Sequence, residues 1–208
     1  MQGFKSLLVG AHQVALHPVA VWRAWTRLYG PVRDPRLALA ILVHDWGYAL
    51  TRDMDGATGE RHVELGAQLV TWLCDPPHSQ QPVSTPWGTL RLGPWGMFTL
   101  LHSRYYARHL GRCPSRLCAA DKLAIELEPA YLARVVLSGE VWEHVRHARA
   151  GRYPGVSVDL SDADLRARTR SPRTRAALRI WQDATRREMA RWARDHAGAL
   201  TPHPGGPA

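Results

Sequence analysis

The residues best suited to chemistry are His17, the adjacent pair His44 and Asp45, His62, His102 and Asp121. Two of them are carboxylates in apolar surroundings. Asp45 follows the run LALAILV, and Asp121 sits inside LCAADKLAI. A buried carboxylate is costly unless it is hydrogen-bonded, paired or bound to a metal. Each could be satisfied singly by an ion pair. Four histidines and two aspartates on successive apolar segments need a shared explanation, and a metal centre supplies one. Neutral imidazole and carboxylate suit Mn, Fe, Co, Zn or Mg, and no cysteine is required. A carboxylate has two oxygens, so one aspartate can bridge two ions. Adjacent His and Asp at a helix end can both reach one ion there. Two ions about 3.5–4 Å apart can activate water and neutralise charge in an in-line phosphoryl displacement. His12, five residues before His17, is a rival first ligand. His17 is favoured because it lies against a helix start at Pro18.

The elements that must position these residues read as helices. VAVWRAWTRLY follows Pro18, with Val19, Trp22 and Trp25 (or Tyr29) on one face. A second helix, about 35–47, is apolar nearly all round and is expected to be central, ending on His44 and Asp45. In a third, opened by His62, Val63, Ala67, Val70 and Leu73 share a face. Residues 75–94 are rich in Pro, Gly and Ser and read as loop. His102 is expected within a fourth helix whose first turn holds Pro94. Asp121 is expected within a fifth that Ser115 can cap. Further helices are expected near 129–137 and 140–150. No segment alternates strictly over any length, so no sheet is expected to organise the fold.

The order His17, His44-Asp45, His62, His102, Asp121 resembles the HD superfamily of metal-dependent phosphohydrolases. LVHDWGY looks like its signature segment, and GERHVELGA, LLHSRYYA and LCAADKLA look like its later motifs. The resemblance spans about residues 10–140 and is closest to compact bacterial single-domain HD proteins. It implies an all-α HD-domain helical bundle in which His17, His44, Asp45 and Asp121 hold one ion. His62 and His102 match members that hold a second ion, with Asp45 bridging. No Gly-Tyr-Pro motif follows the loop, so the chain departs from the cyclic-dinucleotide branch. Lys122 and Arg104 are candidates to meet a phosphate, with a surface salt bridge as the plain alternative. Asp53, Asp55 and Glu60 could support the ligands but read more simply as solvated loop acids. The expected activity is hydrolysis of a small phosphate ester or nucleotide at a one- or two-ion centre. Two alternatives stay open: an HD-type di-iron oxygenase, and a nucleotide-sensing module without turnover.

Length and charge bound the rest. The 208 residues suit one core with an appendage, so an HD domain is expected over 1–150, a helical appendage over 151–200 and a disordered tail over 201–208. From Arg166 to Arg194, ten arginines stand against Asp183 and Glu188, which places eight of the nine net positive charges there. In the same stretch Leu178, Trp181, Met189 and Trp192 form a stripe. That pattern reads as a C-terminal basic amphipathic helix packed on the domain with a solvated face, and nucleic acid is not an expected partner. No apolar run approaches the roughly 20 residues of a membrane span. The N-terminus lacks a clear cleavage site and reads as mature protein. Three cysteines without a secretory signal point to reduced thiols and a cytoplasmic location. The sequence leaves the oligomeric state open.

Overall fold

The computed structural model describes residues 2–52, 54, 56–150 and 160–206. The fold is mainly α, and the only sheet among the described residues is two-stranded. The helices α1 (Gln2–Val9), α2 (Leu16–Tyr29) and α3 (Pro35–Val43) come first. A 3-10 turn (Trp46–Leu50), α4 (Ala57–Glu60) and α5 (His62–Cys74) follow. After the strands β1 (Gln81–Thr85) and β2 (Gly88–Leu92) come α6 (Pro94–Leu100), α7 (Arg104–His109) and α8 (Arg116–Leu127). The chain closes with α9 (Tyr131–Ser138), α10 (Glu140–Arg149), α11 (Asp162–Ala167) and α12 (Pro172–His196).

α8 lies between α2 and α12 because all three present small residues. Ala20 and Ala24 of α2, Ala119, Ala120 and Ala124 of α8, and Ala190 and Ala193 of α12 share one buried core. Small side chains let helix axes approach closely. The large residues that set the sequence expectation for α2 behave differently. Trp25 is buried, but Val19 and Trp22 are exposed, because the alanine face takes the interface. Leu73 of α5 is likewise exposed, while Val63, Ala67 and Val70 are buried as expected.

α12 belongs to two cores. Leu178 and Trp181 pack with Val135 of α9 and Val141 and Val145 of α10, and the later alanines pack on α8. The segment read as an appendage is therefore built into the body of the molecule. Residues 201–208 are expected to be a disordered tail, of which 201–206 are described. Instead, Thr201 exchanges backbone hydrogen bonds with Pro114 and Arg116, and His203 stacks on Trp95 at 5.5 Å. The boundary stretch 151–159 lies outside the described residues.

The 75–94 segment, read as loop, contains a hairpin. β1 pairs with β2 in antiparallel register, from Gln81 opposite Leu92 to Thr85 opposite Gly88. Val83, Thr85 and Leu92 turn inward, with Leu90 partly buried beside them, too short an alternation to stand out among Pro, Gly and Ser. Ser115 occupies the N-cap of α8, but its hydroxyl caps nothing. No helix among the described residues is long and apolar enough to cross a membrane, and Cys74, Cys113 and Cys118 are free.

Candidate metal centre

α3 starts at Pro35 with Asp34 accepting a hydrogen bond from the Arg36 amide, and it buries Leu37, Ala40, Ile41 and Val43. It stops one residue short of His44, which is its C-cap, and Asp45 has left the helix (φ −100°, ψ 2°). The expected helix to residue 47 is thus shorter, and the break turns both side chains the same way. α5 meets this end through two glycines. A Cβ on Gly47 would lie 1.9 Å from the His62 carbonyl oxygen, and one on Gly66 2.6 Å from that of Val43. That approach brings His62 beside Asp45. His17 sits in the first turn of α2, and Asp121 lies midway along α8. His102 is not inside a helix as expected. It occupies the break between α6 and α7, where Ser103 caps α7 by accepting from the Tyr105 and Tyr106 amides.

The other five residues converge on Asp45, and all six are buried. Asp45 Oδ2 lies 3.2 Å from His17 Nε2 and 3.3 Å from His44 Nε2. Asp45 Oδ1 lies 3.4 Å from both His62 Nε2 and His102 Nε2. His17 Nε2 is also 3.2 Å from Asp121 Oδ1. Two groups result: His17, His44, Asp45 and Asp121, then Asp45, His62 and His102, in each of which the ligand atoms lie within 4.8 Å of one another.

The other ring nitrogens define the tautomers. His44 Nδ1 donates to the Ile41 carbonyl (2.8 Å), His62 Nδ1 to Gly59 (2.6 Å) and His102 Nδ1 to Thr99 (2.7 Å). Each bond runs three residues back along the chain. A carbonyl can only accept, so each neutral ring carries its proton on Nδ1 and a lone pair on Nε2. His17 does the same with the Glu128 carboxylate, Nδ1 to Oε1 at 2.6 Å. A neutral His44, His62 or His102 therefore turns its Nε2 lone pair to a carboxylate oxygen, acceptor against acceptor. His17 Nε2, His44 Nε2 and Asp45 Oδ2 have no hydrogen-bond partner among the described residues. A cation between them resolves the conflict, and the Nδ1 bonds are the partners that metal-ligating histidines use. The residues present fit a divalent ion.

The electrostatics agree. Burial alone would push Asp45 and Asp121 up. The histidines around Asp45, and Lys122 beside Asp121, outweigh it and hold both carboxyls well below the usual range. Burial lowers His62 to about 4, so its ring is neutral at physiological pH. Burial also pulls on His17, but Asp121 and Asp45 raise it to about 9. A proton on His17 Nε2 faces Asp45 and Asp121 but leaves His44, His62 and His102 facing Asp45, whereas bound ions would relieve all five pairs.

The remaining candidates fall around the cluster. Lys122 Nζ is 2.7 Å from Asp121 Oδ2, and its side chain is 26% exposed, so it marks a solvent edge of the site. Arg104 rests over the Trp192 ring at 5.1 Å and lies near enough to Lys122 for the two charges to repel. His12, the rival of His17, has Nε2 3.7 Å from Asp45 Oδ2 and Nδ1 2.9 Å from Ser6 Oγ. It is at the site but belongs to neither ligand group. Glu60 accepts from Ser103 Oγ at 3.5 Å, while Asp53 and Asp55 lie outside the described residues. Sequence reasoning missed Glu128. It stands seven residues after Asp121, two helical turns on and thus on the same face, and that spacing was the available signal.

No family model, curated protein or solved structure matches the chain at a significant level.

Proposed function

We propose that the protein is a metal-dependent phosphohydrolase of the HD type, acting on a small phosphate ester or nucleotide. The observation that carries the reading is the placement of Asp45, with one oxygen turned to His17 and His44 and the other to His62 and His102. Divalent ions bound at such a centre lower the pKa of water towards neutrality and neutralise charge on a phosphoryl group. Asp45 ties the two groups together and fixes their spacing. Lys122, at the exposed edge, meets the anion. Arg104 adds a second positive charge near it, suited to a phosphate oxygen. The proton for the leaving oxygen comes from a remaining side chain or solvent. His12 is an imidazole at the site outside both ligand groups.

The test is a phosphate-release screen on metal-analysed protein. Chelation should abolish turnover, and Mn, Co or Fe should restore it. Metal-loaded protein that hydrolyses no phosphomonoester, phosphodiester or nucleoside polyphosphate would overturn the reading. Iron content with an oxygen-dependent spectral change would then assign the centre to two-iron oxidation. Tight nucleotide binding without product would assign it to sensing.

A further inference from the structure

Three of the four site histidines take their Nδ1 partner from a backbone carbonyl three residues away. His17 instead reaches a carboxylate 111 residues distant in sequence. Glu128 is buried at 2% exposure, just past the end of α8, and its second oxygen accepts from Arg134 Nη2. A local carbonyl comes free with the helix turn. A buried Glu–Arg pair does not, because desolvating both charges is costly.

We propose that Glu128 is a positioning residue that makes the two halves of the centre unequal. A first divalent ion is held tightly by His17, His44, Asp45 and Asp121, and a second weakly by Asp45, His62 and His102. The proposal rests on the metal-centre reading above. The first half has four donor groups, two of them carboxylates, against three donor groups and one shared carboxylate in the second. Net charge does not separate the halves, because Lys122 and Arg134 sit behind Asp121 and Glu128. Donor number and ring orientation do. A carboxylate on Nδ1 locks the tautomer and makes Nε2 a better donor than a carbonyl does. Asp121 lies in α8 and Glu128 is its C-cap, so one helix and its end supply both a ligand and the support of another.

The experiment is a titration of chelator-stripped full-length protein with Mn2+ alone, followed by calorimetry and by metal analysis after gel filtration. Wild type should retain one ion per chain and take a second only in excess Mn2+. Glu128→Gln should weaken the first ion about 10- to 100-fold, the usual penalty for losing such a partner, and leave the weak ion near its wild-type value. Because Gln takes from Arg134 its Glu128 carboxylate, Glu128→Leu with Arg134→Leu provides a second variant in which the pair is replaced by apolar groups, and it should show the same selective loss. Co2+ loaded at one equivalent should show an altered absorption band in both variants. His62→Ala should keep the retained ion and lose the second. A merely structural Glu128 would lower the melting temperature without changing the order of loading or the Co2+ band, and that result overturns the proposal. So do two ions of equal affinity in wild type. Wild type that binds neither Mn2+ nor Co2+ overturns the metal centre itself, a distinct failure.

Discussion

Asp45 and Glu64 are carboxylates of nearly equal burial in adjoining parts of the molecule, and their surroundings are opposite. Glu64 Oε1 accepts from Tyr106 Oη at 2.6 Å and Thr85 Oγ1 at 3.2 Å, and Oε2 accepts from Arg61 Nε at 3.3 Å. Every partner is a donor, and together they tie α5 to α7 and to the hairpin. Asp45 is ringed by imidazole nitrogens whose protons are spent elsewhere. One environment is complete as it stands, while the other could hold a cation. Burial alone does not separate a structural carboxylate from a candidate ligand; the direction of the surrounding donors does.

The comparison is broken most sharply by removing its two centres in turn. Asp45→Asn deprives both ligand groups of their shared member, so metal analysis should find neither ion retained and phosphate release should fall to background. Retention at the wild-type level would sink the comparison. Next in size is the effect of the ion on stability. Mn2+ at about 100 times its dissociation constant should stabilise wild type by about 2.7 kcal/mol. For a chain of this length that is a rise of roughly 5–10 °C in Tm. Asp45→Asn should show no rise. Tyr106→Phe should show the full rise from a lower starting point, because it removes a hydrogen bond to a charged group worth about 2 kcal/mol and leaves the ion site alone. A Tyr106→Phe protein that loses metal would mean the two regions are one.

Asp45 and Asp121 were legible as carboxylates inside apolar patterns and the histidines chiefly through the order of the motifs, and only the convergence needed the fold. Helix type and order were legible for α2, α3, α5 and α8, whose apolar periods are long. The breaks were not. His102 lies in a turn because Ser103 starts a new helix, and nothing in the apolar period of LLHSRYYA marks that restart. The buried face of α2 was misread because pattern reading weights tryptophan over alanine, while close helix packing selects alanine. Glu128 and Glu64 were missed for a shared reason. Their partners, His17 and Tyr106, lie 111 and 42 residues away, and pairing over such separations is set by tertiary contact.

Glu140 extends the comparison to a third environment and gives the smallest effect. It is fully buried at the start of α10, where the Ala11 amide donates to Oε2 at 3.2 Å. Burial pushes its carboxyl up, against the pull of the Ser6 and Ser138 hydroxyls and that amide. It is thus neither saturated with donors like Glu64 nor set among metal-ligand groups like Asp45. A carboxyl with a raised pKa in the folded state binds its proton more tightly there than in the unfolded chain. Its contribution to stability is therefore fully present below the ordinary value of 4.5 and is lost as pH rises through the folded pKa. Glu140→Gln removes that titration. Urea unfolding of chelator-treated protein from pH 4 to pH 7 should show wild type losing stability relative to Glu140→Gln as pH rises. A difference that stays flat or widens towards low pH would show that burial does not hold the Glu140 carboxyl up and would overturn this reading.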